Sequence, residues 1–214
     1  MPYRRDMIQA ISRVADRAVR GAAAALALAL AGAPPAVAAE QSLLQACFPA
    51  HGLAARPEEL KPLKGAPGAN VATPSRTLAA FAPAPEPLRG SIRRVDLPPG
   101  RKLIALTFDL CEQPGEIAGY DGPIFDYLRA QGVKATVFVG GKWLVTHPER
   151  ARQLVADPLV ELGNHGWSHR NTRGLEGRPL IDELVEPQRA YEAARADLAR
   201  QACVASRPQA MSRV

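Results

Sequence analysis

The chain has 214 residues, 47% of them hydrophobic and 22% charged, with a formal net charge of +6. That length allows one domain with a sizeable core plus appendages. Its basic residues are interspersed with acids and form no stripe with aromatics, which argues against nucleic acid as a partner and leaves only a mild attraction to anionic envelope polymers.

Residues 1–39 read as an export signal. Arg4, Arg5, Arg13, Arg17 and Arg20 precede an apolar run at 22–33, then Pro34-Pro35 and the small-x-small sequence Ala36-Val37-Ala38. A charged region, an apolar region and a cleavage site in that order mark a secretory leader. The run is too short to cross a bilayer; the competing reading is an alanine-rich amphipathic helix or an uncleaved anchor. The leader contributes +3, so +3 remains on the rest of the chain. Export places the protein in the periplasm or outside the cell, where cysteines pair. There are three, Cys47, Cys111 and Cys203. An odd count leaves at least one free or paired outside the chain. Cys111 is either adjacent to a site or a small buried apolar residue.

Residues 40–95 are rich in proline and alanine, with Pro57, Pro62, Pro67, Pro74, Pro83, Pro85 and Pro87 among them. Such spacing interrupts helical and alternating periods, so this stretch reads as an extended linker or a wrapping arm. His51 stands alone in it and is expected to be exposed. The folded domain is expected over 96–202. Residues 102–108 form a buried first strand. Residues 122–131 form a helix with Ile124, Phe125, Tyr127 and Leu128 on its apolar face and Gly132 at the C-cap. A second strand over 133–139 ends in Gly140-Gly141. Thr146 to Glu149 reads as a capping box opening a helix toward Ala156, with His147 on the surface of its first turn. A third strand covers 160–163. Residues 180–202 are helical and charged, interrupted at Pro187, and 203–214 form an irregular tail.

This β-α-β-α-β-α alternation predicts an α/β fold with a parallel sheet and right-handed crossovers. Three strands close poorly, and a barrel needs eight or nearly so. The expected architecture is therefore the front half of something larger.

Polar residues stand at the C-terminal ends of the predicted strands, where α/β proteins gather reactive groups. The first strand delivers Asp109 and the third delivers His165 and His169. Two histidines in one short segment can supply two of the three protein ligands of a catalytic zinc, and a nearby carboxylate can take a proton from water. On spacing alone, Asp109 capping a turn beside two ordinary histidines is an equal reading.

Thr107-Phe108-Asp109-Leu110, the segment 132–138 (GVKATVF) and the segment 161–165 (ELGNH) leading into His165-Gly166-Trp167-Ser168-His169 resemble, in order, three segments of the polysaccharide deacetylase family, also called the NodB-homology domain or carbohydrate esterase family 4. The resemblance covers roughly a third of the chain. It implies a distorted (β/α) barrel, here apparently truncated, and hydrolysis of N-acetyl groups on envelope or extracellular polysaccharide. By motif position it implies Asp109 as general base and His165 and His169 as ligands of a divalent metal, zinc being the usual one. Ser168 and Asn164 would orient these ligands or satisfy loop backbone groups; Trp143 and Trp167 would stack on sugar or pack. Two departures stand out. Leu110 occupies the place of the aspartate that is the family's third metal ligand, which leaves Glu112 as first choice and Asp121 or Cys111 as alternatives. The later motifs, including the histidine that acts as general acid, are not found, so the chain is expected to be a partial deacetylase domain. The alternative function is a non-catalytic carbohydrate- or metal-binding relative; a third reading is an unstable, aggregating fragment.

Overall fold

A computed structural model describes residues 42–65, 71–75, 83, 85–90 and 93–213. The export signal expected over 1–39 lies outside the described residues, as do parts of the expected linker.

Three short strands, β1 (Thr107–Leu110), β2 (Ala135–Val139) and β3 (Val160–Asn164), form a parallel sheet in the order β1-β2-β3. The expected α/β class and parallel pairing are met; among the described residues the sheet is open. Its register aligns Asp109 with Phe138 and Phe138 with Gly163. Paired residues share a face and neighbours along a strand alternate. One face therefore carries Thr107, Asp109, Thr136, Phe138, Glu161 and Gly163. The other carries Leu110, Val137 and Val139, which are buried in the core.

The first strand begins later than its sequence suggests. Leu103 and Ile104 are 62% and 84% exposed, and Leu106 is held only through its carbonyl, which accepts from the Thr136 N–H. β1 lies at the edge of the sheet, and no described element covers 102–106, so this apolar run pairs at one end only.

Helix α3 (Gly122–Gln131) follows β1 as expected. Asp121 caps it by accepting from the Ile124 N–H, Pro123 sits in the first turn, and Gly132 closes it in the left-handed region at φ 63°. Helices α4 (Gly141–Thr146) and α5 (Pro148–Ala156) join β2 to β3. The capping box expected over Thr146 to Glu149 does not form. His147 is the N-cap without a side-chain bond, because the Thr146 hydroxyl instead donates to Glu112 Oε1 at 2.6 Å.

Helix α6 (Gly177–Ala199) continues through Pro187, where the sequence suggests an interruption. A proline removes one donor, to the carbonyl four residues earlier. That carbonyl belongs to Glu183, and the Trp167 N–H fills it at 2.9 Å. The tail also differs from expectation: α7 (Ala202–Ala205) and a 3-10 turn at Pro208–Arg213 follow α6, and Val204 is buried.

Of the two readings of the arm, extended linker or wrapping segment, residues 42–65 take the second. Residues 42–65 are packed rather than extended. Ser42 and Gln45 make a reciprocal capping box at the start of α1 (Leu43–Cys47), and Leu43, Leu44 and Phe48 enter the core. A short helix α2 (Ala50–Leu53) and a 3-10 turn at Pro57–Leu60 continue it. Arg150 of α5, itself buried, donates to the carbonyls of Leu53 and Ala54 and pairs with Glu59 at 2.6 Å. Cys47 is disulfide-bonded to Cys203, and Cys111 is free.

Candidate metal centre

Asp109 and His165 come together at the C-terminal ends of β1 and β3. Asp109 Oδ1 lies 4.0 Å from His165 Nδ1, and the Asp109 side chain is 61% exposed. The His165 backbone N–H donates to the Val139 carbonyl, which fixes the residue just beyond β3. The rings of His165 and His169 lie tilted at 43° to each other with centroids 4.8 Å apart. Cys111, the residue after β1, joins them: its sulfur and one nitrogen of each histidine all lie within 4.8 Å of one another. Leu110, between Asp109 and Cys111, points the other way into the core.

Electrostatics favour the ligating form of His165. Burial lowers its pKa from 6.5, the Asp109 carboxylate opposes that shift, and His169 adds to the lowering. Its imidazole is thus neutral at neutral pH, as a metal ligand requires. His165 Nε2 is buried with no hydrogen-bond partner. A buried nitrogen without a partner is costly unless something accepts its lone pair or its proton, and two imidazoles beside a thiol form a donor set suited to zinc. The residues present therefore fit a divalent ion.

The His165–His169 loop is held by α6. Glu183 is only 4% exposed. Its Oε1 accepts from the backbone N–H of Ser168 at 2.7 Å and of Arg170 at 3.2 Å, while Oε2 accepts the Ser168 hydroxyl at 3.0 Å. Its backbone carbonyl takes the Trp167 N–H, so one residue secures Trp167, Ser168 and Arg170. The opposite side is gripped by α4: Gly141 and Lys142 donate to the carbonyls of Gly166 and Trp167. Both contacts demand glycine. A Cβ on Gly141 would lie 2.3 Å from the Trp167 ring and 2.8 Å from Pro187 Cα, and Gly166 has φ 78° with Glu183 Oε1 at 3.0 Å from where a Cβ would stand. His169 itself takes φ 59°, unusual for a residue with a side chain.

Several sequence candidates are placed elsewhere. Asn164 donates to the Leu184 carbonyl and accepts the Gly166 N–H, and the Ser168 hydroxyl donates to Glu183, so neither side chain bonds the histidines. Glu112, the expected third ligand, is buried against Thr146, with His147 Nδ1 3.6 Å from the same oxygen. Asp121 caps α3. His147 is partly buried rather than on the surface, stacked on Trp143 at 4.6 Å. Burial lowers its pKa from 6.5 and outweighs the opposing Glu112 carboxylate. Trp143 is fully buried, and Trp167 packs against the core. His51 is exposed, as expected. Sequence reasoning missed Glu183; the signal was Pro187, four residues on, which frees the Glu183 carbonyl.

The family model "Polysaccharide deacetylase" matches residues 96–204, half of the chain. The chain is 36% identical over 86 residues to an uncharacterized 30.6 kDa protein of Geobacillus stearothermophilus, covering 40% of this chain and 31% of that protein. It is 32% identical over 95 residues to a chitooligosaccharide deacetylase of Bradyrhizobium sp. (strain ANU 289), covering 44% of this chain and 41% of that protein. It is 31% identical over 94 residues to a peptidoglycan-N-acetylmuramic acid deacetylase of Bacillus subtilis, covering 44% of this chain and 19% of that protein. The match thus spans well under half the length of each of these relatives. No solved structure matches the chain.

Proposed function

Because the chain belongs to the polysaccharide deacetylase family, we propose that it carries the catalytic residues of an exported deacetylase, which hydrolyses N-acetyl groups of an envelope or extracellular polysaccharide to acetate and free amine. The observation that carries this reading is the gathering of Asp109, His165 and His169 at the C-terminal ends of two parallel strands. His165 and His169 would hold a divalent metal, zinc by first choice. Such an ion polarises the acetyl carbonyl and lowers the pKa of water. Asp109, largely exposed and 4.0 Å from His165, is the base that accepts a proton from the attacking water. Glu183 and Gly141 hold the histidine loop in the geometry this needs. The three-stranded sheet is read as part of the distorted β/α barrel implied by the family motifs. The Cys47–Cys203 disulfide supports an oxidising compartment, periplasmic or extracellular.

The test is acetate release from N-acetylglucosamine oligomers by the purified chain. Release is expected to vanish with chelator and to return with zinc. Asp109→Asn should lower it by at least about a hundredfold, the usual scale for a lost general base. Leu110 in place of the family aspartate favours the competing reading of a non-catalytic binder. A folded, metal-loaded protein that binds the oligomer without releasing acetate would establish that reading instead.

A further inference from the structure

We propose that Cys111 supplies the third protein ligand, making the centre a Cys-His-His site that selects a thiophilic ion such as zinc. The inference rests on the metal-site reading above and deepens it.

Position is the first argument. Leu110 is locked in the core, and its carbonyl accepts the Gly140 N–H at 2.8 Å. A ligand at 110 would have to leave the core face. Cys111 follows on the side of Asp109, and its sulfur falls within 4.8 Å of both histidine nitrogens. Ligands at about 2.3 Å (sulfur) and 2.0–2.1 Å (nitrogen) around a tetrahedral ion lie roughly 3.3–3.6 Å apart, so a side-chain adjustment of about 1 Å closes the set.

The alternatives stand outside the cluster. Glu112 accepts the Thr146 hydroxyl on Oε1 and is not grouped with the two histidines, and Asp121 caps α3. Asp109 is the base and stands largely in solvent. Cysteine usage in the chain is the second argument. Cys47 and Cys203 are paired, and the one thiol left free is the one beside the two histidines. His165 Nε2 is buried without a partner, so that nitrogen is not committed to another protein group. Thiolate prefers zinc or cobalt over magnesium or manganese, so the site is expected to discriminate where an all-oxygen-and-imidazole centre would not.

The experiment is cobalt(II) loading of the purified chain under anaerobic conditions, read by absorption. The wild type is expected to show visible ligand-field bands together with a near-ultraviolet thiolate-to-cobalt charge-transfer band. In Cys111→Ser the charge-transfer band should disappear and cobalt affinity should fall by more than about tenfold, since even outer partners of a metal ligand cost that much. Cys111→Asp supplies a carboxylate and guards against misfolding; it should retain cobalt without the thiolate band. Ligand-field bands without a thiolate band in the wild type would overturn the Cys111 assignment and leave the histidine site standing. Failure of the folded wild type to bind cobalt at all would overturn both.

Discussion

His147 shows how a residue's neighbours override its position in the sequence. In the first turn of a helix it reads as solvated, yet the ring lies flat on Trp143 with Thr146 Oγ 3.0 Å from Nδ1. The Glu112 carboxylate lies nearby, and would raise the pKa if desolvation were small; burial wins and lowers it below 6.5. The folded state therefore binds the His147 proton more weakly than the unfolded chain. Its contribution to stability is complete above pH 6.5 and is lost as pH falls from there through the lowered folded value. His147→Gln should flatten the fall in melting temperature below pH 6.5 relative to wild type. Taking the difference between the two proteins cancels His165, whose pKa is lowered in the same direction. Parallel pH curves for the two would refute the assignment.

At the scale of elements, α6 does more than cover the sheet. Pro187 removes the donor that would have filled the Glu183 carbonyl, and the histidine loop uses the vacancy through Trp167. The Glu183 side chain then takes three more donors from Ser168 and Arg170. Bonds to a buried carboxylate are among the stronger ones, and donors left buried without a partner are costly. Glu183→Ala should destabilise the protein by about 2–4 kcal/mol in urea unfolding. It should also weaken zinc binding by about tenfold or more, because His165 and His169 flank the loop it holds. Glu183→Gln keeps one carbonyl acceptor and should fall between. Equal zinc affinity in all three proteins would reduce Glu183 to a packing role. The helix, the strands and the histidine pair were legible from apolar periodicity and motif order, since those depend on local chemistry. The grip of Glu183 was not, because a glutamate in a charged helix looks solvated until its carbonyl partner is known. Glu112 misled for the opposite reason: sequence proximity to Asp109 suggested a ligand, while the turn aims it at Thr146.

Over the whole molecule, proline content concealed how the arm is fixed. The arm's prolines begin at Pro49, and the seven residues before it, 42–48, form a capped helix and bury Leu43, Leu44 and Phe48. The chain-length distance to their partners hid the rest: Cys47 bonds to a cysteine 156 positions away, and Arg150 reaches back to Leu53, Ala54 and Glu59. A bond closing so long a loop removes much unfolded-state entropy, about 5 kcal/mol in the chain-entropy model, with native disulfides usually contributing about 2–5 kcal/mol. The Cys47→Ser/Cys203→Ser double variant should therefore lose about 2–5 kcal/mol of unfolding free energy, measured by urea titration without reductant. Its cobalt spectrum should match that of wild type, because Cys111, His165 and His169 stand at the ends of β1 and β3 and in the α6-held loop, and neither disulfide cysteine is among them. An unchanged unfolding midpoint would mean that the buried apolar residues of α1 and the Arg150 contacts fix the arm without the covalent link. A changed cobalt spectrum would mean that the arm and the metal centre are coupled through the core they share.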